Sequence, residues 1–194
     1  MTTTKKTYRT IGATAAAAIG FALLTGCGGD SAALPEGWSK LDTKSLSVGY
    51  PGNKGYKEQP EADRAEANAA VALKEEGGLR TGMVSVQLDF ATGVDSAAEA
   101  ASAAGAGIGL GATRKGTEEV RLAGAESARE ARRIDYEFTS SGEERTPAPG
   151  TRMTGVVVAG VDSKDVPFAV RINAVKGSLS AQDLDAFVDS ITVK

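Results

Sequence analysis

Apolar residues recur at every second position in segment after segment of this chain, and that period points to pleated sheet. Val84, Val86, Leu88 and Phe90 alternate with Ser85, Gln87 and Asp89. Leu46, Val48 and Tyr50 alternate with Ser45, Ser47 and Gly49, and Pro51-Gly52 stops the run. Ile134, Tyr136 and Phe138 alternate with Arg133, Asp135 and Glu137. A strand turns successive side chains to opposite faces, so each segment reads as a half-buried strand. Further strands are expected from Trp38 to Leu41, over 67–74 and from Thr117 to Leu122. Met153 to Val161 and Pro167 to Val175 are expected to pair as a hairpin around Asp162-Ser163-Lys164-Asp165.

The period changes to that of a helix in two places. Ser96-Ala97-Ala98-Glu99 has the spacing of a capping box and opens an Ala-rich run toward Gly105. Ser180-Ala181-Gln182-Asp183 opens a second helix, with Leu184, Phe187, Val188 and Ile191 forming one apolar stripe. The expected fold class is α+β: a single domain in which an antiparallel sheet is flanked by the two α-helices.

Cys27 is the only cysteine, and what precedes it has a different character. Lys5, Lys6 and Arg9 give a basic start. Ile11 to Leu24 is apolar or small apart from Thr14, a run of 14 residues. A membrane-spanning helix needs about 20, so this run fits the apolar region of an export signal. Leu24, Thr25 and Gly26 lead directly into Cys27, which resembles a bacterial lipobox. That resemblance implies a diacylglycerol thioether on Cys27 and cleavage before it. The chain is then expected to divide into a signal peptide (1–26), a flexible tether (27–34) and a folded domain (35–194). The partner through acylated Cys27 is a lipid bilayer, and the expected location is the outer face of the cytoplasmic membrane.

Composition excludes several kinds of chemistry. The first 26 residues hold three of the 22 basic residues and none of the 25 acidic ones, so the remainder carries 19 against 25, a net charge of −6. An acidic domain is a poor electrostatic partner for nucleic acid. There is no histidine, which removes the commonest general base, Ser-His-Asp triads and His-ligated zinc. With its one cysteine lipidated, the domain has no disulfide and depends on its core.

The tempting motifs are incomplete. Gly105, Gly107, Gly109 and Gly111 alternate, but Leu110 and Ala112 stand where a dinucleotide fingerprint needs its third glycine. Gly111 and Gly116-Thr117 have phosphate-loop spacing without the lysine. The segment reads as a helix end followed by a loop, and no cofactor is expected. Asp162 and Asp165 lack the spacing of a calcium loop and read as a turn. Arg129, Arg132 and Arg133 read as a solvated face paired with Glu126, Glu130 and Asp135. No catalytic or metal-ligating set stands out. Trp38 and Tyr50 lie on adjacent expected strands, either in the core or lining a ligand pocket.

Several short signatures occur in a recognisable order. They are the lipobox, Pro35-Glu36-Gly37-Trp38, Ser47-Val48-Gly49-Tyr50-Pro51, Leu122-Ala123-Gly124, Val166-Pro167-Phe168-Ala169-Val170 and Phe187-Val188-Asp189-Ser190-Ile191. Together they resemble the actinobacterial LpqN/LpqT-type lipoproteins, whose domain is similar to PsbP. The resemblance implies an antiparallel sheet with flanking helices and supplies no catalytic residue. The expected function is non-catalytic: an anchored binding or accessory protein for an envelope protein or an amphiphilic small molecule. A carboxylate-dependent envelope hydrolase and a structural spacer are the alternatives.

Overall fold

The computed structural model describes residues 33–109, 111–126 and 130–194. Leu24, Thr25, Gly26 and Cys27, with the export signal and most of the tether, lie outside the described residues.

The elements follow in chain order as β1 (Ser39–Asp42), β2 (Leu46–Tyr50), β3 (Tyr56–Glu58), β4 (Ala70–Glu76), β5 (Leu79–Leu88) and α1 (Ala97–Ala106). Then come β6 (Thr113–Arg121), β7 (Ala123–Gly124), β8 (Glu130–Thr139), β9 (Arg152–Val161), β10 (Pro167–Val175), α2 (Ala181–Asp189) and β11 (Thr192–Val193). The larger sheet has the order β3-β4-β5-β10-β9-β8-β6, and the smaller one β1-β2-β11-β7. Every pairing in the larger sheet is antiparallel. In the smaller sheet β11 runs parallel to β7.

This architecture corrects the α+β expectation and the PsbP-like arrangement of a sheet flanked by helices. The described chain is mostly β, in a seven-stranded and a four-stranded sheet, with two short α-helices. The physical reason is what covers the large sheet. One of its faces is sealed mainly by the second sheet, built from β1, β2 and two-residue strands too short to show a period in sequence. Leu41, Leu46, Val48 and Val193 of the small sheet share one core with Val84, Val86, Val156, Val158, Val170 and Ile172 of the large one. Phe187, Val188 and Ile191, from α2 and the turn after it, fill the same core, as the apolar stripe requires. Ser180 and Asp183 close a full capping box at the start of α2.

Register fixes the two faces of the large sheet. Ala72, Val84, Ile172 and Val156 are neighbours across four strands and form a sealed row. One residue along, Leu73, Met83, Asn173, Gly155 and Tyr136 form the matching row on the opposite face. There α1 packs through Ala100, Ala101 and Ala104 onto Ile134, Val157, Ala159 and Ala169.

The alternation in β5 ends sooner than the sequence pattern suggests. Asp89 adopts a left-handed conformation (φ 53°), so Phe90 joins the α1 side instead of continuing the sealed face. The β9–β10 turn is held by Asp162, whose carboxylate accepts from the backbone N–H groups of Lys164 (2.8 Å) and Val166 (3.0 Å). Burial pushes Asp162 up, but hydrogen bonds from Ser45, Val166 and Lys164 outweigh it and hold the carboxyl below its ordinary value.

Candidate functional site

A single helix cannot cover the α1 face of the large sheet. Ten residues of helix span about 15 Å, whereas ten residues of strand span about 33 Å and seven strands are roughly as wide. The uncovered part is a trough. Its floor is the row Leu73, Met83, Asn173, Gly155 and Tyr136, with Phe138 and Met153 beside it. One bank is formed after α1 by Gly107, Ile108, Gly109, Gly111 and Ala112. The other is the loop after β8, at Ser140 and Pro147.

Three adjoining hollows that share lining residues make up the trough. The one beside the glycine-rich loop is about 290 Å³ and is bordered by Ile108, Tyr136, Phe138, Arg171 and Asn173. The middle one is about 320 Å³ and shares Phe138 and Asn173 with it. A third, of about 480 Å³, shares Leu73, Arg80 and Met83 with the middle one and is polar, with Asp63, Arg64 and Arg145 at its edge. Small-molecule sites span about 300–1,000 Å³, and the middle hollow alone reaches the lower bound.

The banks are fastened by polar contacts. Ser140 Oγ donates to the carbonyl of Pro147 (2.6 Å). The Arg80 N–H donates to the Arg145 carbonyl (2.7 Å), and the Arg145 guanidinium pairs with Glu75 (2.6 Å). These contacts tie the loop after β8 to the β4–β5 hairpin.

Gly155 shapes the floor. A Cβ at this position would collide with both the Tyr136 ring and the Asn173 amide. Without it, the Tyr136 hydroxyl reaches across β9 and donates to Oδ1 of Asn173. Tyr136 also stacks on Phe138, with ring centroids 5.8 Å apart. Burial pushes the Tyr136 phenol up to about 12, with Arg171 and the Asn173 bond pulling the other way.

Charge in the middle and glycine-loop hollows is one-sided. Arg171 is half-buried on the floor, and its Nε is buried with no hydrogen-bond partner. Arg114 lies against α1 at Gly105, where an added Cβ would meet its guanidinium. No carboxylate borders the middle hollow or the glycine-loop hollow. Among the described residues no group of acidic or cysteine side chains is placed to hold a metal ion.

The residues singled out in sequence fall elsewhere. Tyr50 is buried in the main core and Trp38 packs against it; neither borders the trough. Arg132 pairs with Glu119 (2.7 Å), and Arg133 with Asp135 (3.0 Å) and Asp185 (2.7 Å); Arg129 lies outside the described residues. Cys27 and the lipobox also lie outside them, and no described helix is long and apolar enough to cross a membrane. The glycine-rich segment is a bank of the trough. Arg171 and Asn173 were passed over in sequence, although two polar residues on one face of an otherwise apolar strand, Phe168 to Val175, are a visible signal.

No family model and no curated protein matches the chain. Solved structures similar to it include a protein from Bacteroides thetaiotaomicron VPI-5482, at TM-score 0.43 and 14% identity over 77% of this chain. The chain spans only 45% of that protein's length. Another is a Pseudomonas aeruginosa protein of unknown function, at TM-score 0.39 and 10% identity, covering 76% of this chain and 86% of that one.

Proposed function

We propose that this protein is an exported lipoprotein, anchored through Cys27, that binds an amphiphilic envelope molecule in the trough without transforming it. The observation that carries the reading is the open floor of Leu73, Met83, Phe138 and Met153 on a sheet whose other face is sealed. A floor that mixes apolar side chains with Arg171, Asn173 and Tyr136 suits a molecule with an oily body and a polar end. The lipobox supplies the address: two acyl chains hold a protein stably where one does not.

A native mass spectrum of the chain released from its own envelope tests the binding. A reproducible added mass is expected, and Leu73→Glu, which places a charge on the floor, is expected to lose it. A bare wild-type spectrum after gentle release, together with no uptake of added amphiphile, would refute the reading. Cys27→Ala is expected to leave the membrane fraction; its full retention there would remove the anchor.

A further inference from the structure

We infer that Arg171 is the headgroup anchor of the trough, and that its ligand class is a single-chain amphiphile ending in a carboxylate. The inference rests on the binding reading above and adds the charge, the position and the chemistry of the headgroup.

Arg171 occupies the floor of the large sheet, between Ser85 on β5 and Val157 on β9. A Cβ on Gly107 would lie 3.6 Å from its Nη2, so the guanidinium sits under the end of α1. Its buried Nε is unpaired, and a guanidinium donor left without an acceptor is costly to bury. The end of α1 lies beside it. A helix C-terminus carries roughly half an elementary negative charge, and two of its last carbonyls, those of Ala104 and Gly105, already accept from Gly107 and Ile108. Arg171 brings one full positive charge to that place. The helix end therefore offsets at most about half of it, and the hollow stays positive.

The donor set selects the headgroup. Oδ1 of Asn173 is taken by the Tyr136 hydroxyl, which turns the amide so that its NH₂ is the group left to donate. Arg171 and that NH₂ offer one charge and a small fan of N–H donors. A carboxylate, with one charge and two oxygens in a plane, matches this set. A phosphate, with about −1.5 to −2 charge, would leave negative charge uncompensated beside a single guanidinium. From this anchor the apolar floor at Phe138, Met83 and Met153 leads into the middle hollow, where the acyl chain lies.

The test uses the full-length chain carrying Cys27→Ser, so that no attached acyl chain competes for the trough. Calorimetric titrations with decanoate and with its neutral glycerol ester are compared. Decanoate is expected to bind about tenfold tighter or more, the range of one charge-assisted hydrogen bond. Arg171→Gln is expected to remove that preference by weakening decanoate far more than the ester, and Arg171→Lys to restore part of it. Equal binding of both probes by wild type overturns the anchor and leaves the trough reading standing. Binding of neither probe overturns both. The wild-type preference is read without any variant, so a misfolded Arg171→Gln protein does not stall the test. A preference that survives in a folded Arg171→Gln protein also overturns the anchor.

Discussion

The two faces of the seven-stranded sheet are made by the same strands one residue apart, yet they finish in opposite conditions. Ala72, Val84, Ile172 and Val156 are entirely enclosed by the four-stranded sheet and α2. Their neighbours Leu73, Met83 and Asn173 line an open trough. The cause is the size and bulk of the cover. The sealed side meets a second sheet and a helix carrying Phe187 and Val188. The open side meets one ten-residue helix whose contact face is Ala100, Ala101 and Ala104. Small side chains let α1 lie close, and they also limit how far its shadow reaches. Stability and accessibility are thus divided between faces: one side can be packed tightly because the other carries the exposure.

The largest expected effect separates the faces directly. Phe168 is completely buried on the sealed side, with its ring against Gly160. Phe168→Ala is expected to cost about 3–5 kcal/mol of folding stability, from lost transfer energy and a cavity. Met83→Ala, on the trough floor, is expected to cost under about 2 kcal/mol because water already reaches the site. Urea unfolding of both variants decides the matter. Equal losses would mean that the trough floor is packed as tightly as the core.

The next effect sharpens what the open face is for. Each buried methylene contributes about 0.8 kcal/mol, so lengthening a carboxylate ligand by two carbons is expected to tighten binding roughly 15-fold. The gain should stop when the trough is full. A series of fatty acids titrated into the Cys27→Ser chain measures it, and affinities independent of chain length would show that the apolar floor makes no contact.

This division was only half visible in the sequence. Strict alternation announced β2, β5 and β8, and the two serine caps announced both helices, because local periodicity and capping depend on neighbours in the chain. The small sheet was hidden for the opposite reason. β7 and β11 are two residues each, and they exist only because Thr192 and Val193 are brought against Leu46, Ser47, Ala123 and Gly124 from far away in the chain. The trough was hidden as well. Arg171 and Asn173 can be read as polar residues on one face of a strand, but only the strand order makes β10 a central strand between β5 and β9. Trp38 and Tyr50 drew attention as aromatics near the start of the domain. Their side chains belong to the core shared by the two sheets.

The smallest expected effect lies in β8, where a single step along the strand changes sides. Tyr136 and Phe138 border the trough, while Glu137 between them faces the other way into a cage of cations. Lys176 (2.6 Å) and Arg152 (2.9 Å) bond its carboxylate, and Lys115 stands 3.7 Å away. The hydrogen bonds from Lys176 and then Arg152 are the main reasons that its carboxyl is held down at about 2, against an ordinary 4.5. A carboxyl that is more acidic folded than unfolded supports the fold while ionised. Its contribution is therefore complete above about pH 4.5 and is lost as the pH falls toward 2. Carboxyl-resolved NMR titration should find Glu137 as one of the last carboxylates to protonate, and Lys176→Met should move it back toward the ordinary value. The neutral glycerol ester should bind unchanged across that window, because the cage and the trough lie on opposite faces of the strand. Loss of ester binding in step with protonation of Glu137 would show instead that the two faces are coupled through β8.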